Sequence, residues 1–123
     1  MITPLSSPTV PLKGVEILIL NAQTVDETKS TVICPGLGIK NHTITLKSSA
    51  SITGACQIET ANDPAYTGVW APLGGGTINV ADIGPAAVGE LQFQFSGITF
   101  NALRVRISTV IGGGTLSASY LGN

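Results

Sequence analysis

The chain has 123 residues, with six basic and seven acidic side chains, a formal net charge of −1 and only 11% charged residues. Its mean hydropathy is +0.39. An average soluble domain carries about 25% charged residues, so this composition excludes a charged disordered tail, and it lacks the Ala, Glu, Lys, Leu and Arg richness of a coiled coil. The length suits one domain, and the scaling of folded against unfolded surface buries about two-thirds of the chain's area, enough for one core without metal or disulfide staples.

Residues 1–14 read as an extended arm. Pro4, Pro8 and Pro11 fix φ and push their predecessors into extended conformations. Ile2, Leu5, Val10 and Leu12 are apolar and suit docking into a partner's pockets. The segment has no basic n-region followed by an apolar stretch, so no secretory signal is expected.

From Val15 the pattern is β, and residues 15–123 read as one sandwich domain. Val15–Ala22 is apolar at nearly every position and predicts a strand covered on both faces. Thr28–Cys34 predicts a second. Thr43–Lys47 alternates, with Ile44 and Leu46 inward. Ala55–Thr60 follows with Cys56 and Ile58 inward, then Thr77–Val80 with Ile78 and Val80 inward. Leu91–Phe95 places Leu91, Phe93 and Phe95 on one face and two glutamines on the other. Leu103–Ile107 turns Leu103, Val105 and Ile107 inward and Arg104 and Arg106 outward. Thr115–Leu121 is the eighth strand. Turns are expected at Pro35-Gly36, Asn62-Asp63-Pro64, Gly74-Gly75-Gly76, Gly84-Pro85, Ser96-Gly97 and Gly112-Gly113-Gly114.

No long run has a 3.6-residue period, so no major helix is expected, only one turn over residues 85–89. Eight short antiparallel strands make an all-β sandwich, with a jelly roll as the first expectation. An immunoglobulin-like sandwich is the runner-up, and it lacks a Trp between Cys34 and Cys56.

Candidate chemistry is sparse. The glycine runs are followed by no Lys and lead into strands, so they read as turns rather than phosphate cradles. Six dispersed basic residues make no nucleic-acid patch. No apolar run approaches the about 18 residues of a membrane span. Cys34 and Cys56 read as two small buried thiols rather than a disulfide between neighbouring strands. His42 is the sole histidine and reads as a solvated loop residue rather than a general base. Glu59, Asn62 and Asp63 offer too few oxygens for a calcium shell. No nucleophile elbow occurs, so no enzymatic activity, cofactor or metal is expected. Asn62, Asp63, Tyr66 and Trp70 combine aromatic faces with an amide and a carboxylate, the ingredients of a sugar-binding platform. Packing of Trp70 beside a long loop is the competing reading.

Three segments carry a family resemblance. The stretch from Gln57 to Leu73 is a strand, an Asn-Asp turn and then Trp-x-x-Leu. The run from Phe100 to Ser108 supplies an Arg-x-Arg strand through Arg104, Val105 and Arg106. Gly112 to Tyr120 supplies a glycine turn and a final strand. Together these resemble small virion proteins of tailed bacteriophages, the head-decoration (cement) and neck or tail accessory subunits with jelly-roll folds. The resemblance implies a non-enzymatic structural role in the virion, with the major capsid protein or another virion protein as partner and assembly in the host cytoplasm. The alternative is a carbohydrate- or receptor-binding module. The low charge of so apolar a chain also points to a homo-oligomer, with a trimer expected first and a dimer second.

Overall fold

The structure, a computed structural model, describes residues 14–25, 32–35, 38–62, 70–80, 89–97 and 101–123. Among these residues seven strands occur: β1 (Glu16–Gln23), β2 (His42–Ser48), β3 (Thr53–Ala61), β4 (Ala71–Asn79), β5 (Gly89–Phe95), β6 (Ala102–Gly112) and β7 (Leu116–Gly122). No α-helix is present among the described residues. The strands form a four-stranded sheet in the order β1-β7-β2-β5 and a three-stranded sheet in the order β4-β3-β6. Every pairing is antiparallel.

Ile33 supplies the eighth element. It bridges Leu103 on the open side of β6 through two backbone hydrogen bonds of 2.8 Å. With this segment counted second of eight, the sheets read 1-8-3-6 and 2-7-4-5. The pairs 1-8, 2-7, 3-6 and 4-5 nest inside one another, as in one long hairpin rolled into two sheets. That is the jelly-roll wrap. Of the strand expected over Thr28–Cys34, residues 28–31 lie outside the described ones, and Ile33 alone forms a bridge.

Alternation places the core between the sheets, because a strand buries every second side chain. Ile44 and Leu46 from β2, Ile58 from β3, Leu103 and Val105 from β6 and Leu116 and Tyr120 from β7 have no solvent exposure. Leu91, Phe93 and Phe95 of β5 are half-buried and pack on the rim of this core.

Two expectations are corrected. β1 is an edge strand, not one covered on both faces: Leu18 is 49% exposed and Val15 46%. Its ladder to β7 is broken between Leu18 and Leu20 and again between Leu20 and Gln23, with Ala22 at φ 52°. Gly74, Gly75 and Gly76 form no turn. They lie inside β4, which starts at Ala71 and also contains Pro72. Glycine and proline disfavour interior strands, yet an edge tolerates both, and among the described strands β4 pairs only with β3.

The Gly112–Gly114 link is a corner rather than a hairpin turn, since β6 and β7 lie in different sheets. It packs against the β2–β3 link, which also changes sheet. Ser49 N donates to Thr115 O at 3.1 Å, and Thr115 N donates to Ser49 Oγ at 2.9 Å. At the far end of β6, Ile111 N donates to Thr24 O at 2.8 Å and ties that strand to the segment after β1. The expected turns at 84–85 and the helical turn at 85–89 fall on residues outside those described, apart from the backbone of Gly89. The arm residues Ile2, Leu5, Val10 and Leu12 also lie outside them. Gly14 N donates to Gly122 O at 2.8 Å, which holds Gly14 beside the end of β7.

Candidate functional site

The densest polar chemistry lies on the outer face of the three-stranded sheet. Gln57 and Glu59 alternate outward from β3, and Arg104 and Arg106 alternate outward from β6. The register sets Glu59 opposite Arg104 and Gln57 opposite Arg106. Arg104 Nε donates to Glu59 Oε1 at 2.9 Å, and Arg106 Nε donates to Glu59 Oε2 at 3.1 Å. Arg106 Nη2 also donates to Gln57 Oε1 at 3.2 Å, and Gln57 Nε2 donates to Thr77 Oγ1 at 3.3 Å. One carboxylate thus holds two guanidinium groups, one directly across and one diagonal, the two positions that reach each other on a pleated sheet. The Glu59 side chain is 4% exposed while the arginines remain 25% and 33% exposed. A buried charge needs this compensation, because desolvation of an unpaired carboxylate is costly.

Trp70 completes the arrangement. Its ring carries the Arg104 guanidinium at 4.3 Å from the centroid, a stacked cation–π contact. The indole packs in a second small core with Val32 and Ala102, flanked by Cys34 and Ala61. Ala61 and Ala102 face each other across β3 and β6, and these two small side chains leave the space for the ring. Trp70 is 4% exposed, so it offers no open face for stacking a sugar. Asn62 is exposed, and Asp63 and Tyr66 lie outside the described residues. Of the four residues expected to form a platform, the described ones are thus a buried Trp70 and an exposed Asn62.

A second polar pair sits inside the sandwich. His42 is not a solvated loop residue. It is the first residue of β2, it is 1% exposed, and its Nδ1 lies 2.6 Å from Tyr120 Oη. The cause is parity: His42 shares the inward face with Ile44 and Leu46. The phenol reaches it past Gly122, where an added Cβ would lie 2.7 Å from Tyr120 Oη and 2.9 Å from Ile39 Cγ2. Burial pushes the Tyr120 hydroxyl up to about 12, so it stays protonated. Neither Cys34 nor Cys56 is in a disulfide, and of the two expected buried thiols only Cys56 is buried, Cys34 being partly exposed. Burial pushes the Cys56 thiol up to about 12, which leaves it without nucleophilic thiolate at neutral pH.

No group of three or more His, Cys, Asp or Glu side chains able to hold a metal ion occurs among the described residues. No described helix is long and apolar enough to cross a membrane. Comparison with protein-family models, with curated proteins and with solved structures found no match in any of the three.

The sequence pattern had already turned Arg104 and Arg106 outward, but it gave no hint that Glu59 joins them. The available signal was two polar pairs at i, i+2 on strands of opposite direction. Reading it requires the non-local register of β3 against β6. The arrangement acts as a clamp: it fixes two strands and one loop to each other and leaves guanidinium edges toward solvent.

Proposed function

We propose that the chain is a non-enzymatic structural subunit of a virus particle that decorates and stabilises a capsid by binding the major capsid protein lattice. The observation that carries this reading is how the polar side chains are used. The sole histidine is bonded to Tyr120 inside the core, and the one buried carboxylate among the described residues is bonded to two arginines. Chemistry of this kind rigidifies a sandwich and is not poised on a substrate. The resemblance of the Gln57–Leu73, Phe100–Ser108 and Gly112–Tyr120 segments to phage decoration and accessory subunits supports the same role. Fold alone does not fix function. The proline-containing arm is the element assigned to the lattice contact, with Ile2, Leu5, Val10 and Leu12 in pockets and avidity from many copies.

Two measurements test this. Mass spectrometry of purified particles counts copies: a number in proportion to the capsid lattice supports decoration, a handful moves the subunit to the neck or tail, and none overturns the role. Deletion of residues 2–12 should abolish particle binding while the free subunit melts nearly as before. Unchanged binding would remove the arm from the mechanism.

A further inference from the structure

The described strands leave four sheet edges, and three of them are blunted. The β1 edge carries two register breaks and a residue at positive φ. The β4 edge carries Pro72, three glycines and a register break opposite Cys56 and Ile58. The β6 edge is covered by Ile33 at Leu103 and bonded to Thr24 at Ile111. These are the devices by which sheets avoid edge-to-edge pairing.

The β5 edge has none of them. All seven residues, Gly89 to Phe95, pair with β2 in unbroken register from Ser48 to His42. The strand contains no proline and no lysine, and Glu90 is its one charge. β2 lies on one side, and no described strand lies on the other. Alternate backbone N–H and C=O groups therefore point away from the sheet. Leu91, Phe93 and Phe95 on its inner face are only half-buried.

We infer that β5 is a self-association edge, which pairs antiparallel with β5 of a second copy to join two four-stranded sheets into one eight-stranded sheet. A two-fold contact must be self-complementary, and this strand satisfies that test. Full overlap of the seven residues puts Gln92 on the axis opposite its own copy. Leu91 then faces Phe93, Glu90 faces Gln94, and Gly89 faces Phe95. Apolar residues meet apolar ones on the inner face, amides and the one carboxylate meet on the outer face, and no like charges oppose. An even register keeps every side chain on its own face. The arm of a neighbouring chain is the poorer occupant, because Pro4, Pro8 and Pro11 lack the N–H groups that a ladder needs. The outcome is a two-fold pair rather than the trimer expected from composition. This inference stands whether or not the particle role above is correct.

The test uses the full chain. Sedimentation or light scattering over a concentration series should show a monomer–dimer equilibrium. Gln92→Lys places two ammonium groups opposite each other at an exposed site, and should raise the dimer dissociation constant by about fivefold or more with an unchanged circular dichroism spectrum. In a Cys34→Ser, Cys56→Ala background, Gln92→Cys should cross-link to its own copy under mild oxidation, while the same substitution at the exposed Ser108 of β6 should not. A strictly monomeric chain would overturn the inference. So would a trimer, or a dimer that ignores Gln92→Lys and fails to cross-link at that position.

Discussion

His42 and Tyr120 share no sequence motif and lie 78 positions apart, yet they meet inside the sandwich with Nδ1 and Oη 2.6 Å apart. β7 and β2 are adjacent, and their ladder pairs Ile44 with Tyr120 and His42 with Gly122. Tyrosine spans one inward position and reaches the next, which is open because Gly122 has no side chain. Tyr120→Phe removes this buried bond to the imidazole, at an expected cost of about 1–2 kcal/mol. Urea denaturation of the two proteins checks the value. An unchanged midpoint would mean that the bond adds nothing net.

Alkaline pH should destabilise the fold through two buried acids. Cys56 is raised from 9.0 to about 12 and Tyr120 from 10.0 to about 12, both by desolvation. The unfolded chain releases these protons near the ordinary values, while the native chain holds them. Between about pH 9 and 12 the native state therefore binds more protons, and stability falls as pH rises. The thiol alone contributes a slope of about 1.4 kcal/mol per pH unit, reaching about 4 kcal/mol by pH 12. Denaturation midpoints at pH 8, 9.5 and 11 measure it. Cys56→Ala should flatten the first part of the fall, and a slope unaltered by that substitution would sink the assignment.

The Glu59 clamp should be strongly coupled. Glu59→Gln keeps the shape and removes the charge that both arginines share, with an expected loss of about 2–3 kcal/mol because two part-buried cations lose their counter-ion. Arg104→Lys loses the Nε donor and the planar stack on Trp70, since an ammonium is a point charge with no face. It should cost about 1 kcal/mol. Trp70 is the chain's one tryptophan, so its emission reports this layer alone and should shift to the red in Arg104→Lys. A double-mutant cycle on Glu59 and Arg104 with near-zero coupling would show that the pair is incidental.

Local pattern carried much of the fold and little of the site. Period-two alternation placed Ile44, Leu46, Cys56, Ile58, Leu103, Val105 and Ile107 on the inner face, where all are buried. It failed where one residue serves tertiary needs. The glycines at 74–76 looked like a turn because intrinsic preference cannot tell an edge strand from a loop. β6 runs five residues past the expected Ile107, through exposed Ser108, Thr109 and Val110, because Thr109 and Gly112 go on pairing with Ala55 and Thr53 of β3 while Thr24 holds Ile111. His42 precedes the alternating run by one position and looked solvated; only the length of β2 reveals that it shares the inward parity. The Glu59 cluster needs cross-strand register, which no local window contains.

Ser48 closes β2 on the inward face at 4% exposure, and its Oγ has no protein hydrogen-bond partner. A buried hydroxyl without a partner carries its desolvation penalty in full. Ser48→Ala removes the penalty with little change in shape and should stabilise the protein by about 1 kcal/mol. A higher melting temperature at neutral pH is the expected reading. A drop would mean that the hydroxyl is bonded in solution.

Gly54 marks the place where β3 bends onto β6. It sits at φ 117°, within the register break between Thr53 and Ala55. A Cβ there would lie 2.7 Å from Val110 O, 2.9 Å from Thr109 O and 2.9 Å from Ile111 Cδ1. Two of these three atoms are backbone, in a strand held by its own ladder, so they cannot move aside cheaply. Gly97 offers the control: its φ is 71°, but nothing lies within 4 Å of an added Cβ. Gly97→Ala should therefore cost only the left-handed backbone penalty, about 1 kcal/mol. Gly54→Ala adds the collision to an even less accessible φ and should cost about 3 kcal/mol or more. Parallel urea titrations of the two variants separate the contributions, since both lose the same glycine freedom in the unfolded chain. If Gly54→Ala proved no worse than Gly97→Ala, the close approach of β3 to β6 at this bulge could not be the feature that demands glycine.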